Sequence, residues 1–122
     1  MAYGRKISGG KYHKFRKKKK YSLSGVERKV KLRGTKQKVV RGMGGDERKV
    51  LLSEDSVNII DIKTKKAKKV KIKNVLETPS NRFLARQNIL VKGAVIETEL
   101  GKAKITNRPS QEGSVQAVLV EG

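Results

Sequence analysis

The sequence predicts an all-β protein: a small antiparallel β-barrel of about six strands carrying a basic, extended N-terminal tail. Three observations carry that expectation. Of 21 Val and Ile residues, 20 lie in 26–122, in short runs interleaved with charged residues, the alternation of half-buried strands. Gly-rich or polar turns separate these runs, and only Ser80–Gln87 reads as helix. Residues 1–25, by contrast, hold nine Lys/Arg, no Asp or Glu, all three tyrosines and one of the two phenylalanines. A chain of 122 residues is expected to form one domain, 26–122, with 1–25 as an appendage. A closed barrel is preferred because it removes sheet edges, and because Phe83, the one aromatic outside the tail, gives little bulk for a wide sandwich.

In chain order, Val26–Leu32 reads as a half-buried strand ended by Gly34. Lys38–Arg41 is a short extended piece, Gly42–Asp46 a Gly-rich hairpin turn, and Lys49–Ser53 a strand followed by an acidic turn at Glu54 and Asp55. Ser56–Ile62 and Lys68–Lys73 form the clearest hairpin around a loop at Lys63–Ala67, with Val75 and Leu76 extending it toward Pro79. Ile60 and Ile62 are expected on the buried face with Val70 and Ile72, leaving Lys69, Lys71 and Lys73 outside. The helix at Ser80–Gln87, capped by Ser80 or Asn81, should pin itself to the body through Phe83 and Leu84, with Arg82 and Arg86 outward. Ile89–Val91, a turn at Lys92-Gly93, and a hairpin of Ala94–Leu100 and Lys102–Thr106 follow. After the loop Asn107–Gly113, Val115–Val120 is a last, nearly apolar strand. Core positions near this end are Val95 or Ile96, Ile105, Val115, Ala117 and Leu119.

Charge narrows the function classes. The net charge is +20, of which residues 1–25 contribute +9 and residues 93–122 contribute −1. Such an excess points to a polyanion, and its gradient to a body with one basic side and a neutral back. No apolar run approaches a membrane span, no apolar signal core follows the N-terminus, and a cytoplasmic protein without a membrane partner is expected. Cysteine is absent and His13 is the single histidine, so neither metal nor cofactor is expected. His13 has no carboxylate in its segment to orient it, which argues against catalysis. Ser8-Gly9-Gly10 lacks the spacing and the following Lys-Ser/Thr of a nucleotide loop; two glycines do let a backbone approach another closely, including that of RNA. Glu97 and Glu99 read as a solvated strand face.

What the tail offers is cations interleaved with rings: Arg5, Lys6, Lys11, Tyr12, His13, Lys14, Phe15, Arg16 and the run Lys17, Lys18, Lys19 and Lys20. Cations meet phosphates and rings stack on bases. Nine uncompensated charges without a periodic apolar face also predict that 1–25 stays unfolded until RNA orders it.

The opening Gly4-Arg5-Lys6-Ile7-Ser8-Gly9-Gly10-Lys11-Tyr12, followed by Arg16–Lys20, resembles the e-type ribosomal protein S-eight family of the archaeal and eukaryotic small subunit. Thr64–Lys69, Glu77–Arg82, Arg86–Ala94, Ile96–Ala103 and Thr106–Pro109 with Gly113 are similar to the family's blocks in order. The resemblance covers essentially the whole chain, and the lack of an internal insertion looks archaeal. It implies a β-barrel body, an RNA-threading extension and a structural, non-catalytic place on small-subunit rRNA beside other small-subunit ribosomal proteins, as a monomer within the ribosome with no small-molecule substrate. The expected contacts are Arg5–Lys20 of the tail, including Ser8, Gly9 and Gly10, and on the body Lys65, Lys66, Lys68 and Lys69 within Lys63–Lys73, with Arg82, Arg86 and Arg108. An assembly factor on the same domain and a chromatin-type DNA-binding protein are the rival readings.

Overall fold

The computed structural model describes residues 4–13 and 16–120. Eight strands and one short helix follow one another: β1 (Lys31–Leu32), β2 (Lys36–Arg41), β3 (Glu47–Glu54), β4 (Ser56–Asp61), β5 (Lys66–Glu77), α1 (Arg82–Arg86), β6 (Val95–Thr98), β7 (Gly101–Ile105) and β8 (Gln116–Leu119). Strands β4 to β8 close a barrel in sequence order, and β1, β3 and β2 form a separate three-stranded sheet. The all-β barrel expected from the sequence is therefore the fold. Its seam was not anticipated, because β8 returns to pair with β4 in parallel, Ile59 opposite Ala117, while the other barrel neighbours are antiparallel.

Strand β5 does most to shape the barrel. Its first half pairs with β4 and its second with β6. Register shifts between Ile72 and Asn74 and between Val75 and Glu77 let Ile72 and Val75, three apart, both face the interior. Val57, Ile59, Ile96, Ile105 and Ala117 meet them there, and Val30, Leu51 and Leu90 extend the same cluster. Each such side chain, fully buried, contributes about 1.5–3 kcal/mol. Of the expected core positions near the C-terminal end, Ile96, Ile105, Val115 and Ala117 are buried, and Leu119 packs against the cluster from its margin.

Several local expectations are corrected. Only Lys31–Leu32 of the strand read at Val26–Leu32 is a strand; Val26 is exposed and burial begins with Val30. Within β4, Val57 and Ile59 face the core while Ile60 is exposed, as is Ile62 just past the strand's end. Both parities of Ser56–Ile62 carry apolar residues, so alternation does not choose between them; pairing does, by setting Val57 opposite Val70. Glu54 is not a turn residue but the buried end of β3. Helix α1 is a single short turn capped by the Asn81 side chain, which accepts from the Phe83 N–H. Leu84 and Ala85 are half-buried beneath it while Phe83 is exposed, so among the described residues no aromatic ring lies in the core. The Gly-rich turn at Gly42–Asp46 is a hairpin tip as expected, with Gly44 and Gly45 in the left-handed region that glycine tolerates best.

Candidate nucleic-acid interface

The tail's opening motif folds on itself. Lys6 N–H donates to the Gly10 carbonyl at 2.9 Å, Gly9 N–H donates to the Lys6 carbonyl at 2.9 Å, and Arg5 bridges Lys11 in antiparallel fashion. Residues 7–9 are thus a three-residue hairpin loop whose last position, Gly9, takes φ +80°, the arrangement of a turn followed by a left-handed bulge residue. Backbone conformation accounts for that glycine without any close neighbour, since a Cβ there would meet nothing within 4 Å. The Arg5 guanidinium donates to the Gly9 carbonyl at 3.0 Å, and Lys6 Nζ lies 5.8 Å from the centre of the Tyr12 ring. Farther along, Arg16 donates to the Tyr21 hydroxyl at 3.2 Å, and Lys20–Ser22 makes a 3-10 turn after Lys17, Lys18 and Lys19. Every described residue from Gly4 to Glu27 is exposed, His13 and Ser8 included, and Lys14 and Phe15 lie outside the described residues.

On the body, strand parity divides the lysines of the β4–β5 hairpin. Lys69 and Lys71 stand on the outer wall opposite Asn58 and Ser56, with exposed Lys73 beyond them. Lys66 and Lys68 instead line one open end of the barrel with Ile59, Leu100 and Leu119. Lys65 sits in the hairpin loop at φ +53°. The Asp61 carboxylate holds this loop, accepting from Lys63 N–H at 2.9 Å and from the Thr64 hydroxyl at 2.7 Å. Those two bonds, the hydroxyl's first, keep the Asp61 pKa below its ordinary value. The structure therefore separates Lys69 from Lys66 and Lys68 and joins it to Lys71 and Lys73. The period of two along β5 is the signal that finds those two additional cations.

Arg82 and Arg86 line a cleft where α1 rests on β5, beside Asn74 and Leu76. The Arg82 guanidinium lies 5.4 Å from the Phe83 ring centre, leaving an exposed pair of cation and ring. Arg108 is exposed on the loop after β7, whose Pro109 and Glu112 carbonyls accept from Leu51 N–H of β3.

The family model described as "Ribosomal protein S8e" matches residues 2–120. The chain belongs to this family. Among similar proteins is the small ribosomal subunit protein eS8 of Sulfurisphaera tokodaii, 44% identical over 119 residues, which span 96% of this chain and 92% of that protein. The protein of the same name from Methanococcus aeolicus is 44% identical over 117 residues, 95% and 91% of the two chains. That of Sulfolobus acidocaldarius is 47% identical over 118 residues, again 95% and 91%. The resemblance read from the motifs is borne out along the whole chain, and the match to the S8e family takes in the tail hairpin as well as the barrel.

In this S8e family member one carboxylate is drawn inward beneath the basic wall. Glu54 accepts from the Thr35 hydroxyl at 2.8 Å and from the Ser56 hydroxyl at 2.7 Å. Burial pushes its pKa up, but the Ser56 and Thr35 hydrogen bonds and the nearby Lys69 charge outweigh that and hold it below 4.5. No group of His, Cys, Asp and Glu able to hold a metal is found among the described residues, and no described helix is long and apolar enough to cross a membrane.

Proposed function

We propose that this chain is a structural constituent of the small ribosomal subunit, bound to small-subunit rRNA in the cytoplasm beside other small-subunit proteins and performing no catalysis. Segment 1–25 is the RNA-binding extension and 26–122 the barrel domain that anchors it. The observation that carries this reading is the exposure of every described residue from Gly4 to Glu27, in a chain whose residues 1–25 hold no Asp or Glu. Family membership supports it, because the relatives are named as small-subunit proteins. Arg5, Lys6, Lys11 and the run at 16–20 neutralise phosphates, Tyr12 stacks on a base, and Lys69, Lys71, Lys73, Arg82 and Arg86 supply a second basic surface on the barrel.

A salt titration of binding to small-subunit rRNA tests this. Replacing Lys17, Lys18, Lys19 and Lys20 together by Gln should flatten the log–log salt slope by up to ~3 units, at roughly 0.7–0.9 per phosphate contact. Tyr12→Ala should weaken binding by about 1–3 kcal/mol at every salt concentration and leave the slope alone. An unchanged slope in the lysine variant would mean that the run is only solvated. A chromatin-type protein would instead prefer duplex DNA and would not sediment with ribosomal subunits.

A further inference from the structure

Two hairpins in this molecule end in the same unusual way. The tail hairpin Arg5–Lys11 carries Ile7 in its loop at 110% relative exposure, and the β2–β3 hairpin carries Met43 at its tip at 94%. Each tip is set by glycine geometry: Gly9 at φ +80° in one, Gly44 and Gly45 at +75° and +80° in the other. Cations flank both. Arg5, Lys6 and Lys11 surround Ile7 without a carboxylate; at the second tip Arg41 and Arg48 stand beside Asp46 and Glu47, and Lys38 and Lys49 add positive charge on the strands behind.

We propose that Ile7 and Met43 are apolar contacts to RNA bases, each pressed against an unstacked base or a ribose face while the flanking cations hold the neighbouring phosphates. This rests on the rRNA-binding reading above. A single exposed apolar residue is ordinary on a protein surface. Here two of them occupy the tips of pre-organised turns, where a side chain reaches first and where turn chemistry alone would favour Asn, Asp or Ser. A hydrocarbon gains nothing from a phosphate oxygen, but it removes area from water against the flat faces of bases, which RNA exposes at loops, bulges and helix ends. Apolar wedges on nucleic-acid-binding proteins act in this manner, and both Ile and Met serve. The cations choose the partner: a surface this basic selects a polyanion over an apolar protein groove.

The test uses the full chain and a transcript of small-subunit rRNA, with Ile7→Ser, Met43→Ser and the double variant. Because both side chains lie in solvent, the variants should melt with the wild type, and a melt confirms it. Each single variant should bind about 10-fold more weakly, close to the loss of one buried aliphatic side chain. The weakening should be equal at every salt concentration, with the log–log slope unchanged. Chemical probing of the bases should show protection lost at a few positions, different for the two variants. Wild-type affinity and protections in both variants would overturn the proposal while the steep salt dependence of the wild type left the rRNA reading intact. Unchanged rRNA binding with weakened association to purified small-subunit proteins would assign the tips to protein contacts, and overturn it too. A wild type that did not bind the transcript in a salt-dependent way would bring down the parent reading and this one together.

Discussion

Glu54 is the one charged residue that the fold buries among those described, at 6% exposure. It ends β3 where the three-stranded sheet hands the chain to the barrel, and its Oε1 gathers the Thr35 and Ser56 hydroxyls and the Ser56 N–H. Because the folded state holds its pKa below 4.5, the unfolded chain takes up the proton more readily. The stability from Glu54 is therefore fully present above pH 4.5 and is lost as pH falls through the lower, folded-state value. Urea midpoints measured from pH 7 down to pH 3 should fall in the acid range, and Glu54→Gln should lower the midpoint at pH 7 and reduce that acid-dependent fall. An identical acid profile in the variant would remove Glu54 from the account. Neighbouring sequence gives no sign of this role, since an acidic pair after a strand looks like a turn, and only the arrival of Thr35 from a distant loop makes it a buried hub.

At the level of elements, α1 shows how a single turn of helix is fixed well enough to present two arginines. Asn81 caps its start. At its end, Asn88 N–H donates to the Ala85 carbonyl at 3.0 Å and Ile89 N–H to the Leu84 carbonyl at 3.1 Å, with Asn88 at φ +52°. That is the paired-bond, left-handed termination of a helix, and it turns the chain so that Ile89 bridges Lys31 and Leu90 N–H reaches the Val30 carbonyl. Asn88→Gly should be close to neutral, whereas Asn88→Val should cost about 1–2 kcal/mol for a β-branched residue held left-handed; urea denaturation of both variants checks it. The sequence showed a helix in Ser80–Gln87, with Ser80 or Asn81 as its cap and its arginines outward; Asn81 is the cap. What it did not show was that Phe83 would lie outside: in so short a helix, Leu84 and Ala85 fill the space toward the barrel and leave the larger ring with Arg82. The same limit applied to β4, where Ile59 and Ile60 compete for the interior and cross-strand pairing decides.

Across the whole molecule, the strands, turns and basic tail were legible because period-2 alternation, glycine and charge each act locally. The parallel return of β8 to β4 was not, because it joins segments more than fifty residues apart and leaves no local mark. Nor was the tail hairpin, whose order comes from a single glycine conformation rather than from an apolar face. The barrel interior depends on small aliphatic side chains, so each one counts. Ile105→Ala should lose about 2–5 kcal/mol, a large part of the roughly 5–15 kcal/mol available to a domain. Where the variant remains folded, its salt slope on rRNA should equal that of the wild type. Stability unchanged by this substitution would show that the site collapses around the gap.

A core in which no described residue is aromatic also decides what light can report. The chain has no tryptophan, and Tyr3, Tyr12 and Tyr21 all precede the barrel. Tyr12 and Tyr21 are exposed, and Phe83, the single ring of the body, sits at the surface. Intrinsic emission is therefore tyrosine emission from the extension alone. It responds when a base stacks on one of those rings, and stays almost indifferent while the strands beneath come apart. Far-ultraviolet circular dichroism has the opposite view, dominated by strand backbone and nearly blind to the arm. Recorded together on one sample, the two signals follow engagement of the arm and melting of the barrel separately, with no label attached to either.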